Sequence, residues 1–156
     1  MLVSPHRSSR PWHGQVEKAP PENLPPYDPG RYLCPRNERA GGARNPDYSS
    51  TFVFDNDFSS LLPDENSAYA VDHPLLVSVS ERGIFRVVCF TPRHDLTLPE
   101  LDQSAVENII CTWTDQTVDL SAKDFIQSVQ IFENNCALCV YILAASNLPK
   151  AGARVR

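Results

Sequence analysis

IFRVVCFTPRHDLTLPELDQSAVENIICTWTDQTV, residues 84–118, is the stretch that decides the fold. Its first seven residues, Ile84 to Phe90, form a β-rich apolar run. Thr97-Leu98-Pro99-Glu100 then has the S/T-x-x-E form of a capping box, with the proline in the first turn, where a missing N–H is tolerated. Beyond it Leu101, Val106, Ile109, Ile110 and Trp113 recur near one face at 3.6-residue spacing, while Asp102, Gln103 and Glu107 lie largely elsewhere. The pattern predicts a helix from Thr97 to about Val118 that packs on a sheet by one stripe.

Working outward, Leu75–Val79 and Ile84–Phe90 read as two antiparallel strands joined through Ser80-Glu81-Arg82-Gly83, with Gly83 available for a positive φ. Thr51–Phe54 is a short strand stopped by Asp55 and Asn56, and Ser59–Tyr69 is loop. Ser128–Phe132 alternates Val129 and Ile131 against Gln130 and reads as a further strand with a polar end at Glu133 and Asn134. The order of strand, hairpin, helix and strand predicts an α+β fold, an antiparallel sheet with a helix packed on one face. A last apolar run, Cys136–Ala145, is followed by a tail carrying Lys150, Arg154 and Arg156, and Cys136–Leu143 is a candidate for one more strand.

A chain of 156 residues supports one domain. Most of its 14 prolines precede Pro63 or sit at element boundaries, so the first third is loop-rich. Trp12, Tyr27, Tyr32, Leu33 and Tyr48 give residues 4–46 enough anchors to form an ordered wrap. A net charge of −5 without clustered Lys or Arg argues against nucleic-acid binding. The longest apolar run, about ten residues, is short of the roughly 20 that span a bilayer, and the first residues lack the apolar core of a secretory signal. Five cysteines at uneven positions make no paired framework, and Cys89 and Cys111 fall in apolar segments suited to buried free thiols. The expectation is a soluble protein of a reducing, cytoplasmic setting.

Several constellations are able to carry chemistry. Arg7 and Arg10, between Pro5 and Pro11, offer a guanidinium fork for a diphosphate or sugar phosphate, although such a pair in a loop is more often simply solvated. Phe54-Asp55-Asn56-Asp57-Phe58 sets acceptors and an amide between two aromatic rings at a strand end. That set suits ribose hydroxyls and a base edge; the plainer reading is an Asx turn. Cys34 and His94 are metal-ligand candidates, but Arg31 occupies the position where a Cys-x₂-Cys pair needs its other thiol. Cys136 and Cys139 have the spacing without nearby partners, which is a weak signal. His6, His13, His73 and His94 are scattered singly, and there is no Gly-rich phosphate loop.

The order of these short blocks resembles the galactose-1-phosphate uridylyltransferases. The blocks are Val3-Ser4-Pro5-His6-Arg7, Arg10-Pro11-Trp12, Gly14-Gln15, Leu33-Cys34-Pro35, Asn45-Pro46-Asp47-Tyr48, Phe54-Asp55-Asn56-Asp57-Phe58, Asp72-His73-Pro74-Leu75, Arg86-Val87-Val88-Cys89-Phe90, Thr97-Leu98-Pro99-Glu100-Leu101 and Val129-Gln130-Ile131-Phe132-Glu133-Asn134. The resemblance covers residues 1–135, a wrap over 1–50 followed by sheet and helix over 51–135, and leaves 136–156 as a divergent tail. It implies an incomplete histidine-triad-like half of the uridylyltransferase subunit. It also implies an activity, exchange of UMP between UDP-glucose and galactose 1-phosphate through a uridylyl-histidine. By position it gives Arg7 and Arg10 to phosphate contacts that reach a neighbouring subunit, and Asn56, Asp57 and Phe58 to the uridine pocket. Ala40 lines the uracil and Asn134 makes a further nucleotide contact.

The departures carry equal information. Where the family continues to a His-Pro-His motif, this chain runs Asn135-Cys136-Ala137-Leu138-Cys139, so no residue here is assigned as catalytic. Zinc, bound by some family members through two Cys and two His, finds counterparts only in Cys34 and His94, an incomplete site. Two readings result. One is a truncated or alternatively spliced product of a uridylyltransferase gene that does not turn over by itself; the other is a non-catalytic module that binds nucleotide sugar, or UDP, or dimerises with itself or an intact subunit.

Overall fold

Residues 24–64, 81–133 and 139–145 are described by a computed structural model. Among these residues four strands, β1 (Phe52–Asp55), β2 (Gly83–Cys89), β3 (Ser128–Glu133) and β4 (Cys139–Ala145), make one antiparallel sheet in the order β1-β2-β4-β3. One helix, α1 (Gln103–Ser121), follows a single 3₁₀ turn at Leu98–Glu100. The fold is α+β, as expected. The expected strand at Leu75–Val79 lies outside the described residues.

Register sorts the side chains onto two faces. The pairs Val53↔Val88 and Ile131↔Ile142 set one face. Val88, Ile142 and Ala144 there join Ile109 and Leu120 of α1 in a fully buried core, closed further by Phe90 and Ile126. Arg86 crosses from the sheet to the helix on this side, donating to Asp55 of β1 (3.1 Å) and to Asp119 (2.8 Å) and Gln116 of α1. The opposite face carries aromatic residues. Phe52 and Phe54 stack at 5.4 Å, Tyr48 on Phe52 at 5.1 Å, and Phe85 on Phe132 at 5.9 Å.

Three expectations need correction. The capping box exists, since Thr97 donates its N–H and hydroxyl to Glu100. It nucleates only the 3₁₀ turn, because Leu101 is extended and Asp102, accepting from Ala105 N–H at 2.7 Å, is the residue that caps α1. The stripe is correspondingly displaced: Ile109, Trp113 and Leu101 face the core, whereas Ile110 is 51 % exposed and Cys111 lies on the surface. Gly83 has no left-handed backbone. A side chain is excluded there because a Cβ would come within 2.4 Å of the Ala144 carbonyl oxygen and 2.7 Å of Leu61.

Cys139–Ala145, read as part of a divergent tail, forms the strand between β2 and β3. Its pairing is continuous on both sides, from Gly83↔Ala145 to Cys89↔Cys139 and from Ser128↔Ala145 to Glu133↔Val140.

Candidate functional site

The wrap supplies the floor of the site. Its chain is irregular, so its backbone polar groups need partners other than a sheet ladder. Two buried amides provide them. Asn37 Nδ2 donates to the carbonyls of Asp28 and Arg31, both at 2.8 Å, and its Oδ1 accepts the Tyr27 hydroxyl at 2.5 Å. Asn45 Nδ2 donates to the carbonyls of Tyr32 (2.7 Å) and Cys34 (2.9 Å). The turn at Gly41-Gly42 then reverses the chain, with Gly42 at φ 84° and its N–H donating to the Arg39 carbonyl. Glu38 and Arg44 face each other across it.

Against this floor stands the end of β1. Asn56 leaves the strand, its N–H bonded to the Phe85 carbonyl at 2.8 Å, and its Oδ1 accepts the Phe58 N–H at 2.9 Å. That is the Asx turn that the residue composition favours. The turn projects Asp57 back towards the wrap, where Arg39 grips it with Nε at 2.9 Å and Nη2 at 3.2 Å. The guanidinium also donates to Asn45 Oδ1 at 3.2 Å and lies 4.1 Å from the centroid of the Phe54 ring.

A cavity of about 180 Å³ opens between wrap and sheet. Tyr32, Leu33, Arg39 and Ala40 come from the wrap, Phe54 and Val87 from the aromatic face, and Asn56, Asp57 and Phe58 from the turn. An engineered apolar cavity of about 150 Å³ holds one benzene ring, so this volume suits a single six-membered ring with polar groups on one side. Of the residues predicted from sequence, Ala40, Asn56, Asp57 and Phe58 converge on the cavity. Arg7, Arg10 and Asn134 lie outside the described residues. Arg39 was not anticipated: a lone arginine in a loop carries no signal until its partner, 18 positions away, is known.

The metal candidates are arranged differently. Cys34 and His94 are both 2 % exposed, and neither ring nitrogen of His94 has a hydrogen-bond partner among the described residues. Orphaned imidazole nitrogens are what a metal ligand presents, but structural zinc takes four N or S ligands. Arg31, paired with Asp28 at 3.6 Å, is a cation, and no three His, Cys, Asp or Glu side chains converge among the described residues. The described residues alone do not fit the metal. Burial, and then the Arg31 charge, lower the His94 pKa and keep the ring neutral.

Among solved structures, two uridylyltransferases share this fold: one at TM-score 0.65 with 18 % identity, covering 96 % of this chain and 43 % of that one, and a mutant at 0.66 with 16 % identity, covering 96 % and 42 %. At that identity the likeness establishes a shared fold. A family model described as galactose-1-phosphate uridyl transferase, N-terminal domain, matches residues 1–139, and the chain belongs to that family. Galactose-1-phosphate uridylyltransferases similar to it include that of Haemophilus influenzae, 50 % identical over 137 residues, or 88 % of this chain and 39 % of the relative. Those of Rattus norvegicus, 44 % identical over 88 % of this chain and 36 % of the relative, and Saccharomyces cerevisiae, 44 % identical over 86 % and 40 %, are further examples. The chain thus spans about two-fifths of the length of these relatives. No helix among the described residues is long and apolar enough to cross a membrane.

Proposed function

We propose that the cavity between the wrap and the aromatic face binds the uridine part of UDP or a UDP-hexose, and that this chain constitutes the nucleotide-binding region of a histidine-triad-like half of a UDP-glucose–hexose-1-phosphate uridylyltransferase. The observation that carries the reading is the convergence of Ala40, Asn56, Asp57 and Phe58 on one ring-sized cavity. Its chemistry is complementary to a nucleoside. Phe54, Phe58, Leu33 and Val87 give the base an apolar slot. Asn56 Oδ1 is already occupied by Phe58 N–H, so the group it has to offer is its NH₂, a donor for a carbonyl or ribose oxygen. Asp57 is an acceptor for ribose hydroxyls. Arg7 and Arg10 for the phosphates, Asn134 for a further nucleotide contact, galactose 1-phosphate as the second substrate, pairing of subunits and a cytoplasmic setting rest on the family alone.

The same proposal holds that these 156 residues bind without turning over and without zinc. Transfer through a uridylyl-histidine needs an accessible imidazole next to the α-phosphate. Of the chain's four histidines, His94 is buried and is not among the residues lining the cavity. His6, His13 and His73 stand in no His-x-His motif. The test is a melt of the purified chain with and without UDP, together with a UDP-glucose plus galactose 1-phosphate assay. A hundredfold excess over Kd is expected to add about 2.7 kcal/mol of stability, with turnover at background. A melt unmoved by millimolar UDP contradicts the binding reading, and turnover above background contradicts the other half.

A further inference from the structure

Arg39 and Asp57, the two charged side chains lining the cavity, are matched to each other. Two of the Arg39 N–H groups lie in parallel on the two oxygens of Asp57, a third reaches Asn45 Oδ1, and Phe54 covers one face of the plane. Both members of the pair are mostly buried, with side-chain exposures of 12 % and 18 %. A guanidinium so engaged is poorly placed to receive a phosphate, since its charge is neutralised and its fork is filled. What it does is immobilise Asp57. An ionised carboxylate has about four acceptor positions; Arg39 takes two of them and fixes the direction of the others. Gly41 presses on the same carboxylate, for a Cβ there would meet Asp57 Cβ and Cγ at 2.8 Å.

Resting on the uridine reading above, we infer that Arg39 is a positioning residue that aims the Asp57 carboxylate at a ribose hydroxyl and thereby sets the preference of the site for ribonucleotides over deoxyribonucleotides. The planar, doubly bonded contact is essential to this. A lysine supplies one rotating point charge and leaves the carboxylate free to swing, whereas an arginine clamped on an aromatic ring and a buried amide holds it.

The full chain is titrated with UDP, 2′-deoxy-UDP and 3′-deoxy-UDP by calorimetry, in the native form and as Arg39→Gln and Arg39→Lys. A hydrogen bond to a charged acceptor corresponds to about a tenfold preference or more, so the native chain is expected to bind UDP about tenfold tighter than at least one deoxy analogue. In Arg39→Gln that ratio falls to about two or less, and Arg39→Lys lies between. The ratio is the diagnostic quantity, because partial unfolding weakens all three ligands alike. Should Arg39→Gln give no cooperative melt, Arg39→Lys decides by the same ratio. A folded variant that keeps the native ratio overturns the inference, as does a native chain that binds all three equally. A native chain that binds none of them removes the uridine reading itself, and this inference with it.

Discussion

At the scale of single residues, the wrap shows how an irregular segment is held in place. Asn37 and Asn45 each satisfy two backbone carbonyls with one amide, so the chain around Cys34 is pinned by hydrogen bonds. His94 lies against the same segment, its backbone N–H donating to the Pro26 carbonyl at 2.8 Å and its ring nitrogens without a partner among the described residues. Its folded pKa lies below the usual value of 6.5. The unfolded chain therefore binds more protons, and stability is fully present above about pH 6.5 and is lost as pH falls towards the folded pKa. An apolar residue of similar size removes both the titration and the unsatisfied nitrogens. His94→Leu is thus expected to change stability by less than about 1 kcal/mol at pH 7.5 and to flatten the decline in Tm between pH 7 and pH 5.5. EDTA is expected to leave the native Tm unchanged; a chelator-induced drop would show that Cys34 and His94 hold a metal after all.

Residues were legible where chemistry is local. The Asx turn at Asn56 and the acceptors of Asp57 can be read from five consecutive letters, because the turn needs only a side chain and a backbone two positions on. Arg39 was not legible, since its meaning comes from Asp57 on another segment and Phe54 on the sheet. Ile110, which the periodicity assigns to the buried stripe, and Cys111, which its apolar segment suggests is a buried thiol, are exposed for a related reason. A periodicity fixes a face only to within a residue or so, and the helix is capped by Asp102 instead of Thr97.

At the scale of elements, β4 has the largest consequence. Ile142 and Ala144 are completely buried, and the strand pairs with both β2 and β3. The family match ends at residue 139, so nearly all of this strand lies beyond it. The sheet nevertheless closes around the strand, because an apolar run of the right length is all that pairing and burial require. Ile142→Ala is expected to cost about 2–5 kcal/mol in urea denaturation. Ending the chain after residue 138 leaves β2 and β3 without their shared neighbour and is expected to abolish the cooperative transition; a truncated chain with the native midpoint would mean that the strand is dispensable. Sequence pattern identified this run as a candidate strand but gave no position in the sheet, which depends on non-local pairing.

At the scale of the whole molecule, a thin sheet with two unlike faces divides the work. The helix side carries aliphatic packing and the Arg86 cross-link, and holds the strands in register. The other side carries Phe52, Phe54 and Phe85, with the wrap laid near them and the cavity between. The α+β class and the helix-on-sheet arrangement follow from periodicity alone. The second face does not, because a wrap without periodicity gives no sign of what it covers until its hydrogen bonds are known. The Asp57–Arg39 pair ties the wrap to the end of β1, and the two amides hold the wrap's own course beside the cavity.

A ¹⁵N-labelled chain titrated with UDP, followed amide by amide, tests that arrangement most directly. The account predicts saturable shifts at Arg39, Ala40, Asn56, Asp57 and Phe58, with the amides of α1 from Ser104 to Ser121 unmoved. Saturable shifts along α1 with Asn56–Phe58 silent, or no shifts at millimolar UDP, would contradict it.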